Sequence, residues 1–125
     1  MAYCRMVSSQ PLPDGAFSLC FYQVDPHVLA QDVAVFFAQL QYKFEGGTPM
    51  RSSWGVGDDT ARVLFGAFVK RYQFTISIDP QPGSPYVWLR LAKGISGAAG
   101  GLIGYSQMNT ETQRVIGLIQ HFFST

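Results

Sequence analysis

Residues 17–24, "FSLCFYQV", alternate Phe17, Leu19 and Phe21 against Ser18, Cys20 and Tyr22, which predicts a β-strand with one buried face. The period then changes. Asp25 offers a carboxylate as N-cap and Pro26 fits the first helical position, so a helix is expected from there to about Tyr42. Leu29, Val33, Phe36, Phe37 and Leu40 recur at three- and four-residue steps as its core stripe, opposite Gln31, Asp32 and Gln39.

From Lys43 to Lys93 the period is two, broken at Gly46-Gly47, at Gly57-Asp58-Asp59 and at Pro80 to Pro85. Four strands are predicted, at about 48 to 56, 61 to 69, 71 to 79 and 85 to 93. In the third, Tyr72, Phe74, Ile76 and Ile78 face away from Gln73, Thr75 and Ser77. In the fourth, Val87, Leu89 and Leu91 face away from Tyr86, Trp88 and Arg90. A last helix is expected from Asn109 or Thr110, where Thr110 and Gln113 match a capping box, and its apolar face is broad: Val115, Ile116, Leu118, Ile119, Phe122 and Phe123. Residues 1–16 hold Pro11, Pro13 and Gly15 without periodicity and read as an irregular N-terminal arm.

The order β-α-β(4)-α predicts an α+β domain over 17–125, a curved antiparallel sheet with both helices packed on one face. This order resembles the TATA-binding-protein-like and helix-grip topologies, a resemblance of element order alone. It implies a sheet whose other face is presented to a ligand.

Composition sharpens that expectation. Of 125 residues 47% are hydrophobic and only 14% charged, so some apolar surface is expected to be covered by a partner or ligand. A net charge of +1 makes no general case for nucleic acid. The start of the chain has no apolar run of the roughly 7 to 15 residues of a secretory signal, and no stretch has the about 20 apolar residues of a membrane helix. A cytoplasmic protein with no membrane span is therefore expected, with Cys4 and Cys20 as free thiols.

The stretch "KGISGAAGGLIGYSQMNTE" at 93–111 concentrates five glycines. It lacks the Lys-Ser/Thr pair of a phosphate-binding P-loop and the spacing and β-α-β setting of a dinucleotide fingerprint. "GAAGGLI" matches the G-x-x-G-x-x-I run of KH domains, whose loop clamps a nucleic-acid backbone. In that family the loop joins two helices and carries a basic residue; here it follows a strand and carries Ala98-Ala99. The stretch reads instead as a strand-to-helix connection, either packed down or serving as a lid hinged at Gly97, Gly100, Gly101 and Gly104.

The open sheet face is the other candidate. Tyr86, Trp88 and Arg90, beside Gln73 and Thr75 and with Arg62, form an expected binding set for an apolar or amphipathic small molecule with an acidic head group. Seven of the nine basic residues fall between Lys43 and Lys93, which leaves a nucleic-acid-binding module as the alternative. His27, His121 and Asp58-Asp59 form no catalytic or metal-binding pattern, and no cofactor motif is present. The sequence therefore points to a non-enzymatic, self-associating domain, with a dimer favoured.

Overall fold

The computed structural model describes residues 2–56, 72–93 and 101–124, with 101–109 as backbone only. Its elements are β1 (Met6–Pro11), β2 (Phe17–Tyr22), α1 (Pro26–Gln39), β3 (Lys43–Thr48), β4 (Arg51–Val56), β5 (Tyr72–Pro80), β6 (Tyr86–Lys93) and α2 (Gly101–Ser124). The strands form one curved antiparallel sheet in the order β1-β2-β6-β5-β4-β3, an α+β architecture.

Two expectations about strands need correction. Part of the arm expected to be irregular is β1, which pairs with β2, and the expected strand at 48 to 56 is β4, preceded by an unexpected strand β3 to which it is joined in a hairpin at Pro49-Met50. The expected strand at 61 to 69 lies outside the described residues. From residue 17 onward the described elements still read strand, helix, four strands, helix.

The registers place Phe17, Leu19 and Phe21 beside Leu91, Leu89 and Val87, then Ile76 and Ile78, then Phe74 beside Trp54. This is the buried face, and both helices cover it. Phe123 of α2 meets Phe21 edge-on at 5.0 Å, and Phe37 of α1 stacks on Trp54 at 5.3 Å. Each such ring removed from water stabilises the fold by roughly 1.5–3 kcal/mol.

α1 starts as its sequence predicts: Asp25 accepts the His27 amide at 2.8 Å and Pro26 follows the cap. It ends earlier than expected, at Gln39. Gln41 adopts φ +63°, and the Tyr42 amide donates to Phe37 O at 2.9 Å while the Gln41 amide donates to Ala38 O at 3.0 Å. These are the paired bonds of a Schellman cap, and the accompanying apolar contact is Tyr42 on Phe37, 5.4 Å between rings. The cap thereby drives Tyr42 into the core.

α2 begins at Gly101 rather than near Thr110. A Thr-x-x-Gln spacing also occurs inside helices, and elongation from a stable C-terminal half adds one hydrogen bond per residue, which carries it through Gly104. Among the described residues no helix is long and apolar enough to cross a membrane. Cys4 and Cys20 are buried free thiols.

Candidate functional site

The face of the sheet turned away from the helices is organised in rows by the strand registers. At one end Tyr22 pairs with Tyr86, their rings 5.4 Å apart. The next row holds Cys20, Trp88 and Asp79, and the one after it Ser18, Arg90, Ser77 and Arg51. Beyond these lie Ala92, Thr75 and Ser53, and last Gln73 with Gly55.

This order is chemical as well as geometric. The first two rows carry three exposed aromatics, Tyr22, Tyr86 and Trp88. The third carries both arginines, and the rest are small and polar. Trp88 and Arg90 lie two residues apart on β6, roughly 7 Å at about 3.3 Å rise per residue.

Each arginine has a carboxylate partner. Arg51 donates to Asp79 Oδ1 at 3.2 Å and Ser77 Oγ at 3.3 Å, both fixed on the neighbouring strand. Arg90 donates through Nη2 to Asp14 Oδ2, which reaches it from the turn between β1 and β2. Asp14 Oδ1 also accepts the Ala16 amide at 3.1 Å. That amide first, and then the Arg90 guanidinium, hold the Asp14 carboxyl below its ordinary range.

Beside Arg90 is an open recess of about 580 Å³, lined among the described residues by Asp14, Ala16, Ser53, Gln73, Thr75 and Arg90, with Lys93 at its edge. Gln73 Nε2 donates to Glu45 Oε1 at 3.0 Å, and the Glu45 carboxylate lies over Gly55.

The expected binding set is thus divided. Arg90, Gln73 and Thr75 line the recess, and Tyr86 and Trp88 lie next to it on the same face. Arg62 lies outside the described residues. So do Gly97 and Gly100 of the expected hinge, whereas Gly101 and Gly104 fall in the first turn of α2. His27 and His121 are exposed on separate helices, and Asp58-Asp59 lies outside the described residues.

Two contributors escaped sequence reasoning. Tyr22 carried the right alternation, but its pairing with Tyr86 depends on a long-range register. Asp14 sits in "PLPDGAF", whose Pro, Asp and Gly signal a turn without saying which side chain the turn faces.

On the helix side, a second concavity of about 370 Å³ lies between α1 and the β3–β4 hairpin, lined by Ala30, Ala34, Phe44, Pro49 and Trp54 among others. A separate polar cluster joins the end of α1 to α2. Tyr42 donates its hydroxyl to Glu111 Oε2 at 2.5 Å, and Arg114 holds both Glu111 oxygens at 2.7 Å. Burial, then the Glu111 carboxylate, pushes the Tyr42 hydroxyl well above its ordinary range. Together the three side chains tie the segment that follows α1 to α2.

No protein-family model and no curated protein sequence matches the chain.

Proposed function

We propose that this chain is a non-enzymatic binding module whose open sheet face takes a small amphipathic molecule. The apolar body would lie on Tyr22, Tyr86 and Trp88, and the polar head in the recess beside Arg90. The observation that carries this reading is the adjacency, on one face that neither helix covers, of three exposed aromatics and an arginine-lined recess. Aromatic rings supply apolar area with little entropy to lose, and the arginine fixes orientation.

Nucleic acid is the weaker occupant. The two arginines on this face each hold a carboxylate. A phosphate backbone spanning both would have to break the Arg51–Asp79 pair as well as the Asp14–Arg90 pair, whereas a small acid needs only the second.

The test is a chemical-shift titration with 4-phenylbutyrate, whose ring and carboxylate are separated by about the Trp88-to-Arg90 spacing. Perturbations should centre on the Trp88 indole and the β6 amides, and Trp88→Ala should weaken binding about tenfold, equivalent to about 1.4 kcal/mol. Shifts confined to Trp54 and α1 would transfer the site to the helix side and overturn this reading.

A specific observation also favours self-association. Among the described residues β1 is an edge strand without a charged residue, and Val7 on it is 58% exposed; both edge strands carry a bulge, but the opposite edge, β3, also carries Lys43, Glu45 and two glycines at positive φ. Charges protect edges from pairing, so the uncharged β1 is the edge more open to a second copy and a dimer joined there is the proposed assembly.

A further inference from the structure

We infer that Asp14 occupies, in the free protein, the position of the ligand's own acid group, so that the Arg90 recess is a carboxylate-exchange site. This rests on the binding reading above and narrows it to monocarboxylates with an apolar tail.

The two arginines of the open face are held in different ways. Arg51 is gripped by two residues of the adjoining strand, Ser77 and Asp79, whose positions the sheet fixes. Arg90 is gripped by a side chain on a turn. That turn closes on itself, the Leu12 amide donating to Ala16 O at 2.8 Å and the Gly15 amide to Leu12 O at 3.1 Å, with Gly15 at φ +87° and open space around it. Asp14 can therefore swing away without breaking a strand pairing.

The grip is also incomplete. Among the described residues Asp14 engages Arg90 through Nη2 alone. A guanidinium presents two parallel N–H donors to a carboxylate, and the bidentate arrangement is the stronger one. Asp14 divides its two oxygens between Arg90 and the Ala16 amide, so it does not present both to the guanidinium. An incoming carboxylate has both oxygens available.

Exposure makes the exchange inexpensive. The Arg90 and Asp14 side chains are 43% and 55% exposed, and an ion pair so open to water contributes little to stability. On release the Asp14 charge returns to solvent. The tail of the acid then leads along β6 toward Trp88 and Tyr86, while Thr75 and Ser53 border the recess on the polar side. In the free protein the Asp14–Arg90 pair keeps the guanidinium oriented, and a neutral molecule, having no carboxylate to replace Asp14, gains nothing from Arg90.

The experiment measures binding of 4-phenylbutyrate and its neutral amide, 4-phenylbutyramide, to the wild type, Asp14→Asn and Arg90→Gln by calorimetry and chemical shift. Asparagine can still accept the Ala16 amide, and both positions are exposed, so unfolding is checked by thermal melting alone. Asp14→Asn should bind the acid about threefold to fivefold more tightly, the range a weak exposed pair can withhold. Arg90→Gln should lose about tenfold for the acid, and the amide should be indifferent to both changes. Equal acid affinity in the wild type and Asp14→Asn, with the Trp88 signals still shifting, would refute the exchange and leave the aromatic platform standing. Absence of any shift at Trp88 with either compound would refute both.

Discussion

Cys4 donates its backbone amide to Asp32 Oδ2 at 2.8 Å, and the neighbouring Tyr3 amide reaches Oδ1 at 3.0 Å, so a carboxylate on α1 ties down the first residues of the chain. Asp32 is buried, although its place on the helix suggested the solvent side. Bonds from amides to a charged acceptor are among the stronger ones, and loss of the acceptor strands a buried N–H. Asp32→Ala should destabilise the fold by about 2–3 kcal/mol. The urea midpoint measures it, and a change below about 0.5 kcal/mol would remove Asp32 from the structural core.

The same contact governs the Cys4 thiol. Burial first, then the Asp32 carboxylate, raises its pKa from the ordinary 9.0 to about 12. The thiolate is the reactive form, so Cys4 should resist alkylation at pH 8 in the folded protein. Asp32→Asn removes the negative charge and retains one acceptor, so it should speed labelling of Cys4 relative to Cys20. Mass spectrometry of the two cysteine peptides checks it, and an unchanged ratio would assign the protection to burial alone.

What sequence reading recovered depended on whether a segment buries one face. β2, β5, β6 and α1 each do, and their alternation or helical stripe announced them. β1 and β3 are edge strands that bury little: only Met6 and Ser9 in β1, and Gly46 in β3, are even partly covered, so there was no alternation to read. Asp32 misled for a related reason, since helix periodicity shows which residues can face a sheet but not that an N-terminal segment will cross the other side. At the candidate site, Tyr86, Trp88, Arg90, Gln73 and Thr75 were legible because strand alternation alone puts them on the open face. Asp14 and Tyr22 were not, because their places depend on the β1–β2 turn and the β2–β6 register.

Tyr42 and Glu111 predict two pH limits. Burial pushes the Glu111 carboxyl up, but Arg114 and Tyr42 outweigh it and its pKa lies below the ordinary 4.5. The unfolded chain thus takes up this proton first on acidification: the stabilisation is present above about pH 4.5 and is lost as pH falls below it. Tyr42 is raised above 10.0, so the folded state holds its proton longer; that stabilisation is present below pH 10 and is lost as pH rises beyond. Glu111→Gln should lower stability at neutral pH by about 1–3 kcal/mol and flatten the acid limb. Urea midpoints across pH test this, and an acid limb of wild-type steepness in the variant would refute it.

Two backbone positions predict opposite signs. Gln41 holds φ +63° in the Schellman cap of α1, a conformation that costs a side-chain residue about 1 kcal/mol, so Gln41→Gly should stabilise by a similar amount. Gly47 holds φ +101°, and a Cβ there would lie 2.1 Å from the Arg51 carbonyl oxygen, which is backbone and cannot turn aside. Gly47→Ala should destabilise by roughly 1–3 kcal/mol. Melting curves of the two variants should move apart, and any gain from Gly47→Ala would show that the hairpin relaxes.

The proposed dimer makes the last prediction, because it assigns association to one edge of the sheet. Residues 8–11 of β1, beyond its bulge at Val7, can pair antiparallel with their own copy about a two-fold axis, which continues the sheet from six strands to twelve. Pro11 lacks an amide and sits at the strand's end, where it limits the pairing without preventing it. Val7 flanks that pairing, and a lysine there puts a charge on this edge, a device that keeps edge strands from pairing, while its own strand stays intact. Val7→Lys should therefore convert a dimer to a monomer in sedimentation equilibrium without lowering the melting temperature of the isolated fold. Phe44, 55% exposed on β3, is the matched control on the far edge. Phe44→Lys should leave the dimer intact. A monomeric wild type at high protein concentration, or equal loss of association in both variants, would show that β1 does not carry the contact.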